Sequence, residues 1–178
     1  MAKISYSQLS LYTNCPHQWK LRYVDKIRES ESNIYLVFGT AMHETLQHYL
    51  DVMYKHTIQK ADEINLPKFL QKALITEFKK AEESDGKPPC TKEQMNEFFE
   101  DGINILDFFK KKRGEYFSKN GWELVGIEKP INVEIKDNLR IIGFLDLVMY
   151  DKIANRIKII DIKTSTMGWN KWQKADDN

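Results

Sequence analysis

Apolar positions in this chain change their period once, near residue 120. Before that point they recur at helical spacing: after Gly39-Thr40, the positions Met42, Leu46, Tyr49, Leu50 and Met53 fall on one stripe and predict a helix from Ala41 onward. The stretches 69–81 and 92–116 predict two more, separated by Asp85-Gly86-Lys87-Pro88-Pro89, a strong local stop. At the start, Tyr6-Ser7-Gln8-Leu9-Ser10-Leu11-Tyr12 predicts a short helix capped by Ser5 or Ser7 and halted at Asn14-Cys15-Pro16. Pro16 suits the first turn of a second helix running to about Tyr23, and the polar segment 29–33 reads as a loop.

Beyond Asn120-Gly121 the runs 122–128, 131–135, 139–150 and 156–162 are rich in Val and Ile and predict strands. Asp137-Asn138 predicts a hairpin turn between the second and third, and a further reversal is expected in 151–155. The order is helices first, residues 1–120, then a mainly antiparallel meander over 121–165, within one expected domain spanning 1–178. At 178 residues and 42% hydrophobic content the chain is long enough for a core of its own.

The formal net charge of +1 excludes the strongly basic architectural nucleic-acid binders, so an anionic partner would have to be held by local patches. The two cysteines, Cys15 and Cys90, belong to no close pair. That excludes a zinc ribbon, an iron–sulfur cluster and a disulfide scaffold, and leaves Cys15 as a small buried residue. No apolar leader opens the chain and no run approaches the roughly 18 apolar residues of a membrane span, so a soluble, cytoplasmic protein is expected.

Two of the predicted strands are each interrupted by an aspartate: Gly143-Phe-Leu-Asp146-Leu-Val, and Ile-Ile-Asp161-Ile-Lys163-Thr164. Carboxylates are disfavoured in strands and costly to bury unpaired, so a divalent cation binding Asp146 and Asp161 accounts for both. Mg²⁺ or Mn²⁺ takes one or two carboxylates with waters and a substrate phosphate, which suits phosphodiester hydrolysis. Lys163, two residues beyond Asp161 on an extended strand, shares its face and could orient water or stabilise the transition state.

An isolated Asp-x-Lys is usually only a same-face ion pair, and a lone helical histidine such as His43 is usually hydrogen-bonded rather than a ligand. The two acids taken with His43 favour a site. His43 and His48 are five apart, roughly 140° around a helix, which rules out a zinc-protease pair. Glu128 either extends the acidic site or faces solvent. The basic run 110–113 is more often a solvated helix face than a phosphate contact. Trp169 and Trp172 could stack on bases, with core packing the more usual fate.

Taken together, Ser5-Tyr6-Ser7-Gln8-Leu9 with Cys15-Pro16, Phe38-Gly39-Thr40-Ala41-Met42-His43-Glu44, Gly143-Phe-Leu-Asp146 and Ile160-Asp161-Ile162-Lys163-Thr164 resemble the PD-(D/E)XK nuclease superfamily, in its RecB-like branch. The resemblance implies a restriction-endonuclease-like α/β core, a mixed central sheet flanked by helices. It implies that His43, Asp146, Asp161 and the Ile162 carbonyl hold Mg²⁺ or Mn²⁺, that Lys163 assists the attacking water, and that Thr164, Lys171 and Gln173 contact DNA. It further implies exonuclease work in recombination, repair or phage DNA metabolism, with a helicase or recombinase as a partner. Iron–sulfur members carry three cysteines after the nuclease core, absent here, so no cluster is expected. Members usually continue past Asp-x-Lys with a helix bearing Gln and Tyr, so a C-terminally truncated chain is expected. A nuclease-fold module that binds DNA or a protein without cutting is the alternative.

Overall fold

A computed structural model of the chain describes residues 2–27, 32–136 and 138–163. Two compact units are distinguished: Lys119–Asp161 with the N-terminal arm up to residue 27, and Ser32–Ser118 with Ile162 and Lys163. Among the described residues no helix is long and apolar enough to cross a membrane.

In the helical unit, α3 runs over Ile34–Lys55, α4 over Ile58–Asp62, α5 over Leu66–Asp85 and α6 over Lys92–Tyr116. Each begins where a side-chain acceptor satisfies an amide that the first turn leaves open. Asn33 Oδ1 accepts from Leu36 N, Thr57 Oγ1 from Lys60 N and Asn65 Oδ1 from Lys68 N. Thr91 and Gln94 cap one another reciprocally, at 3.2 and 3.0 Å. Asn33 therefore starts α3 seven residues before the predicted Ala41, and Gly39-Thr40 lies inside the helix. Likewise α5 outlasts the predicted 69–81, from Pro67 in its first turn to Gly86, whose φ of +69° ends it.

The core of this unit is one face of α3 (Val37, Phe38, Met42, Leu46, Tyr49, Met53) with Leu66, Leu70 and Leu74 of α5 and Phe98 and Leu106 of α6, all buried. Gly102 allows the close approach, because a β-carbon there would stand 2.5 Å from Leu70 Cδ2 and 3.2 Å from Phe38. Asp62, at the end of α4, is held by Arg113 through two bonds of 2.6 and 2.9 Å and by the Tyr49 hydroxyl at 2.7 Å. Burial pushes the Tyr49 hydroxyl well above its ordinary range, so it remains a donor. The 110–113 run is thus engaged within the fold: Lys110 reaches the Asp62 carbonyl, Lys112 pairs with Glu115, and Arg113 closes the Asp62 clamp.

The other unit holds the sheet. β1 spans Ala2–Ser5, β2 Trp122–Lys136, β3 Leu139–Asp151 and β4 Arg156–Ile160. β3 is central: β2 pairs antiparallel along all of it, β4 pairs antiparallel with Leu147–Asp151, and β1 pairs parallel with Leu139–Ile142. Since β2 occupies one edge of β3 completely, β1 and β4 share the other, end to end. The sheet is therefore mixed, as the resemblance implied, where residue patterning alone suggested an antiparallel meander. Four residues are too few to show a period, which is why β1 escaped the sequence reading.

β2 is one strand where two were predicted. Pro130, which looked like a break, is accommodated because β2 is an edge strand and the missing amide costs no ladder bond. The β2–β3 turn has Asn138 at φ +65°, as the hairpin prediction required; Asp137 lies outside the described residues. The predicted reversal after β3 is built on Asp151, whose Oδ1 accepts from Ala154 N and Ile153 N at 2.9 and 3.1 Å. Those amides hold its carboxyl below the usual range.

After β1 come α1 (Tyr6–Asn14) and α2 (Pro16–Trp19), and a π-helical turn over Lys20–Val24 replaces the predicted continuation to Tyr23. Cys15 is half-buried rather than buried: its Sγ accepts from Gln18 N at 3.4 Å and caps α2. Within the predicted 29–33 loop, residues 29–31 lie outside the described residues.

The clamp makes a stability prediction. Arg113→Ala should cost about 1–2 kcal/mol by urea unfolding, because it strips charge-assisted bonds from a partly buried carboxylate. Burial opposes ionisation of Asp62, but the bonds from Tyr49 and Arg113 outweigh it and hold its carboxyl below the ordinary value. The contribution is therefore complete above an unfolded pKa of about 4 and disappears as pH falls through the lower folded value. The gap between parent and Arg113→Ala should close in acid over that range.

Candidate metal site on the central strand

Asp146 lies on the central strand, half-buried, and the registers of its neighbours determine what stands beside it. On the β2 side, Ile127 pairs with Leu147 and Lys129 with Leu145, so Glu128 falls opposite Asp146. The two side chains bring carboxylate oxygens within 4.8 Å of each other. On the β4 side the last pair is Leu147 with Ile160, so one more rung would place Asp161 opposite Asp146. The sheet thus sets Glu128 opposite Asp146, and Asp161 follows directly on the last β4 rung.

Glu128 is exposed, and its backbone adopts φ +49°, a left-handed conformation that costs a non-glycine residue about 1–2 kcal/mol. Two residues before it, Gly126 leaves room for the Lys129 side chain, which lies against the Gly126 α-carbon. The sequence reading left Glu128 evenly balanced between site and solvent; the register puts it beside Asp146. The available signal was its place in a run otherwise patterned as a strand.

Asp161 and Lys163 lie past the last residue of β4, which ends at Ile160 and not at the predicted Ile162. Both are exposed and Ile162 is half-buried. The strand on which the sequence reading placed Asp161 and Lys163 thus ends before both of them.

His43 stands half-buried on α3 of the helical unit. His48, exposed on the same helix, stacks on Phe69 with ring centroids 4.5 Å apart, an aromatic packing role. Thr164, Trp169, Lys171, Trp172 and Gln173 lie outside the described residues.

Chemically, an oxygen-donor pair on a fixed strand register, with a third acid one rung away, is the donor set of a hard divalent cation such as Mg²⁺ or Mn²⁺. An imidazole added to that set is compatible with Mn²⁺. Comparison with protein families agrees: the model described as the PD-(D/E)XK nuclease superfamily matches residues 3–177. No curated protein matches the chain.

If the left-handed backbone at Glu128 is maintained for its carboxylate, Glu128→Gly should relieve strain. The variant is expected to unfold at a urea concentration no lower than the parent's, because the left-handed cost of about 1–2 kcal/mol offsets the entropy lost with glycine, about 0.5–1 kcal/mol. Its Mn²⁺ affinity by calorimetry should nevertheless fall. A variant that unfolds earlier and binds Mn²⁺ normally would contradict this reading.

Proposed function

The chain belongs to the PD-(D/E)XK nuclease superfamily, and from that premise we propose that it is a Mg²⁺- or Mn²⁺-dependent DNA nuclease of the RecB-like branch. The observation that carries the proposal is Glu128 standing opposite Asp146 across β2 and β3, their carboxylate oxygens within 4.8 Å, with Asp161 following directly on the last β3–β4 pair. The branch assignment rests on the order of Ser5-Tyr6-Ser7-Gln8-Leu9, Cys15-Pro16 and the 38–44 segment before the two acid motifs. We assign it exonuclease or end-processing work in recombination, repair or phage DNA metabolism, beside a helicase or recombinase.

Asp146 and Glu128 supply carboxylate oxygens, and His43 is the imidazole donor we assign to the same set. When bound, the cation supplies charge compensation on the phosphate and an acidified water. We assign Asp161, one residue beyond the last β3–β4 pair, to the same set, where a bound cation would offset the mutual repulsion of the carboxylates. An extended backbone from Asp161 to Lys163 would put the Lys163 ammonium on the Asp161 face, and the Ile162 carbonyl between them is the remaining donor we assign. Lys163 then orients the attacking water through an N–H bond and stabilises the charge that builds on the phosphoryl oxygens.

Asp146→Asn, Asp161→Asn and Lys163→Ala should each lower cleavage of linear DNA in Mn²⁺ by at least about 100-fold, the upper end of what lesser metal-site changes cost. The parent should be stabilised by about 2.7 kcal/mol in Mn²⁺ at 100 times its dissociation constant, an increment that chelator removes and that Asp146→Asn lacks. Undiminished cleavage by the Asp161 and Lys163 variants would refute the assignment. Mn²⁺ stabilisation in a parent that never cuts would indicate a binding module in place of an enzyme.

A further inference from the structure

Alternation along β3 puts Phe144 on the same face as Asp146, two residues and about 7 Å away. At Phe144 that face is open: its side chain is 68% exposed. The reason lies in the edge of β3. β1 covers it only to Ile142 and β4 only from Leu147, so residues 143–146 have no strand beside them there among the described residues.

The chain leaves β1 at this gap. Ser5 pairs with Ile142, the next residue is Tyr6, and α1 begins there, so Tyr6 emerges at the rung abreast of Gly143 with 81% of its surface exposed. Leu9 and Tyr12 continue an exposed apolar strip along α1, which buries no residue. The arm bearing this strip carries Lys3, Lys20, Arg22 and Lys26 against Asp25 alone. Arg22 lies over the Tyr23 ring, 5.7 Å from its centroid.

Two aromatic rings left in water, Phe144 one strand repeat from the acid that would hold a scissile phosphate and Tyr6 on a locally cationic arm beside the same gap, match the needs of a nucleotide base. We propose that Phe144 and Tyr6 form a stacking step for the bases of single-stranded DNA next to the metal site. The proposal rests on the nuclease reading above and adds to it a strand preference: an unpaired end presents a π-face that a duplex keeps stacked. The rings position the strand and take no part in bond breaking. A protein surface could also cover exposed rings, but the excess of positive charge on the arm and the adjacent acid site favour a polyanion.

The test uses the full chain and a short oligonucleotide carrying 2-aminopurine at its end, in Ca²⁺, a hard cation with the same ligand preference, with gels confirming that the strand stays intact. The parent should quench the aminopurine on binding. Phe144→Leu and Tyr6→Leu, which keep apolar bulk but remove the π-face, should each weaken single-strand binding by about fivefold or more, with blunt duplex binding unchanged. Phe144→Trp should restore affinity to within about twofold of the parent, since any π-face serves. Both positions are exposed, and matching thermal unfolding would exclude misfolding.

Parent-like single-strand binding by both leucine variants would overturn the proposal, as would an equal loss on duplex. If the parent binds Mn²⁺ and cuts while Phe144→Leu binds normally, stacking alone fails. If the parent neither binds Mn²⁺ nor cuts, the nuclease reading fails, and aminopurine quenching decides the stacking step by itself. Loss of protein self-association in the leucine variants with DNA binding intact would assign the surface to a protein partner and refute the proposal.

Discussion

The register of β3 with its two antiparallel neighbours is the constraint on which the site depends. Because side chains in a strand alternate with a period of two, a one-residue slip of β2 or β4 would move its acid to the opposite face. The apolar positions resist such a slip: Leu147 and Met149 are buried, on the face opposite Asp146, and a slip would expose what they pack against. Packing on one face therefore fixes the chemistry of the other. The ladder with β4 ends at Leu147–Ile160, one rung short of setting Asp161 against Asp146.

Two further features of the sheet unit work in the same direction. Glu128 occupies a left-handed conformation in a strand, where an unstrained extended residue would suffice for pairing alone. Such strain persists where the surroundings over-determine it, and at this position it accompanies a carboxylate beside Asp146. On the other edge, the end-to-end arrangement of β1 and β4 leaves the backbone around Asp146 without a covering strand among the described residues, so access to the acid and its placement come from the same topology. The helical unit is organised by different physics. An apolar α3 face packs on α5 and α6, and the Asp62–Arg113–Tyr49 clamp ties the short α4 to α3 and α6, which fixes the element bearing His43.

Legibility differed by element for identifiable reasons. α6 was read to its ends because 25 residues give many helical repeats and Thr91 announces its start. α3 was read late because Gly39-Thr40 resembles a boundary, whereas its cap is Asn33 and the glycine is carried by a helix long enough to absorb its cost of about 1 kcal/mol. β1 was missed for shortness, and the split of β2 came from giving Pro130 the weight it has in a central strand. Asp146 stood out because a carboxylate inside an apolar run demands a partner. Phe144, in the same run, did not, because an apolar residue in a strand carries no signal of exposure.

From the sequence alone came the residue types of the site, their order along the chain and the expected fold family, because these depend on local pattern and motif spacing. Tertiary structure alone decided that Glu128 stands opposite Asp146, that Asp161 waits one rung away, that β1 runs parallel, and that Phe144 is bare. Each of these depends on which residues face one another across strands, and that pairing is set by long-range register and edge coverage, which no window of neighbouring residues encodes.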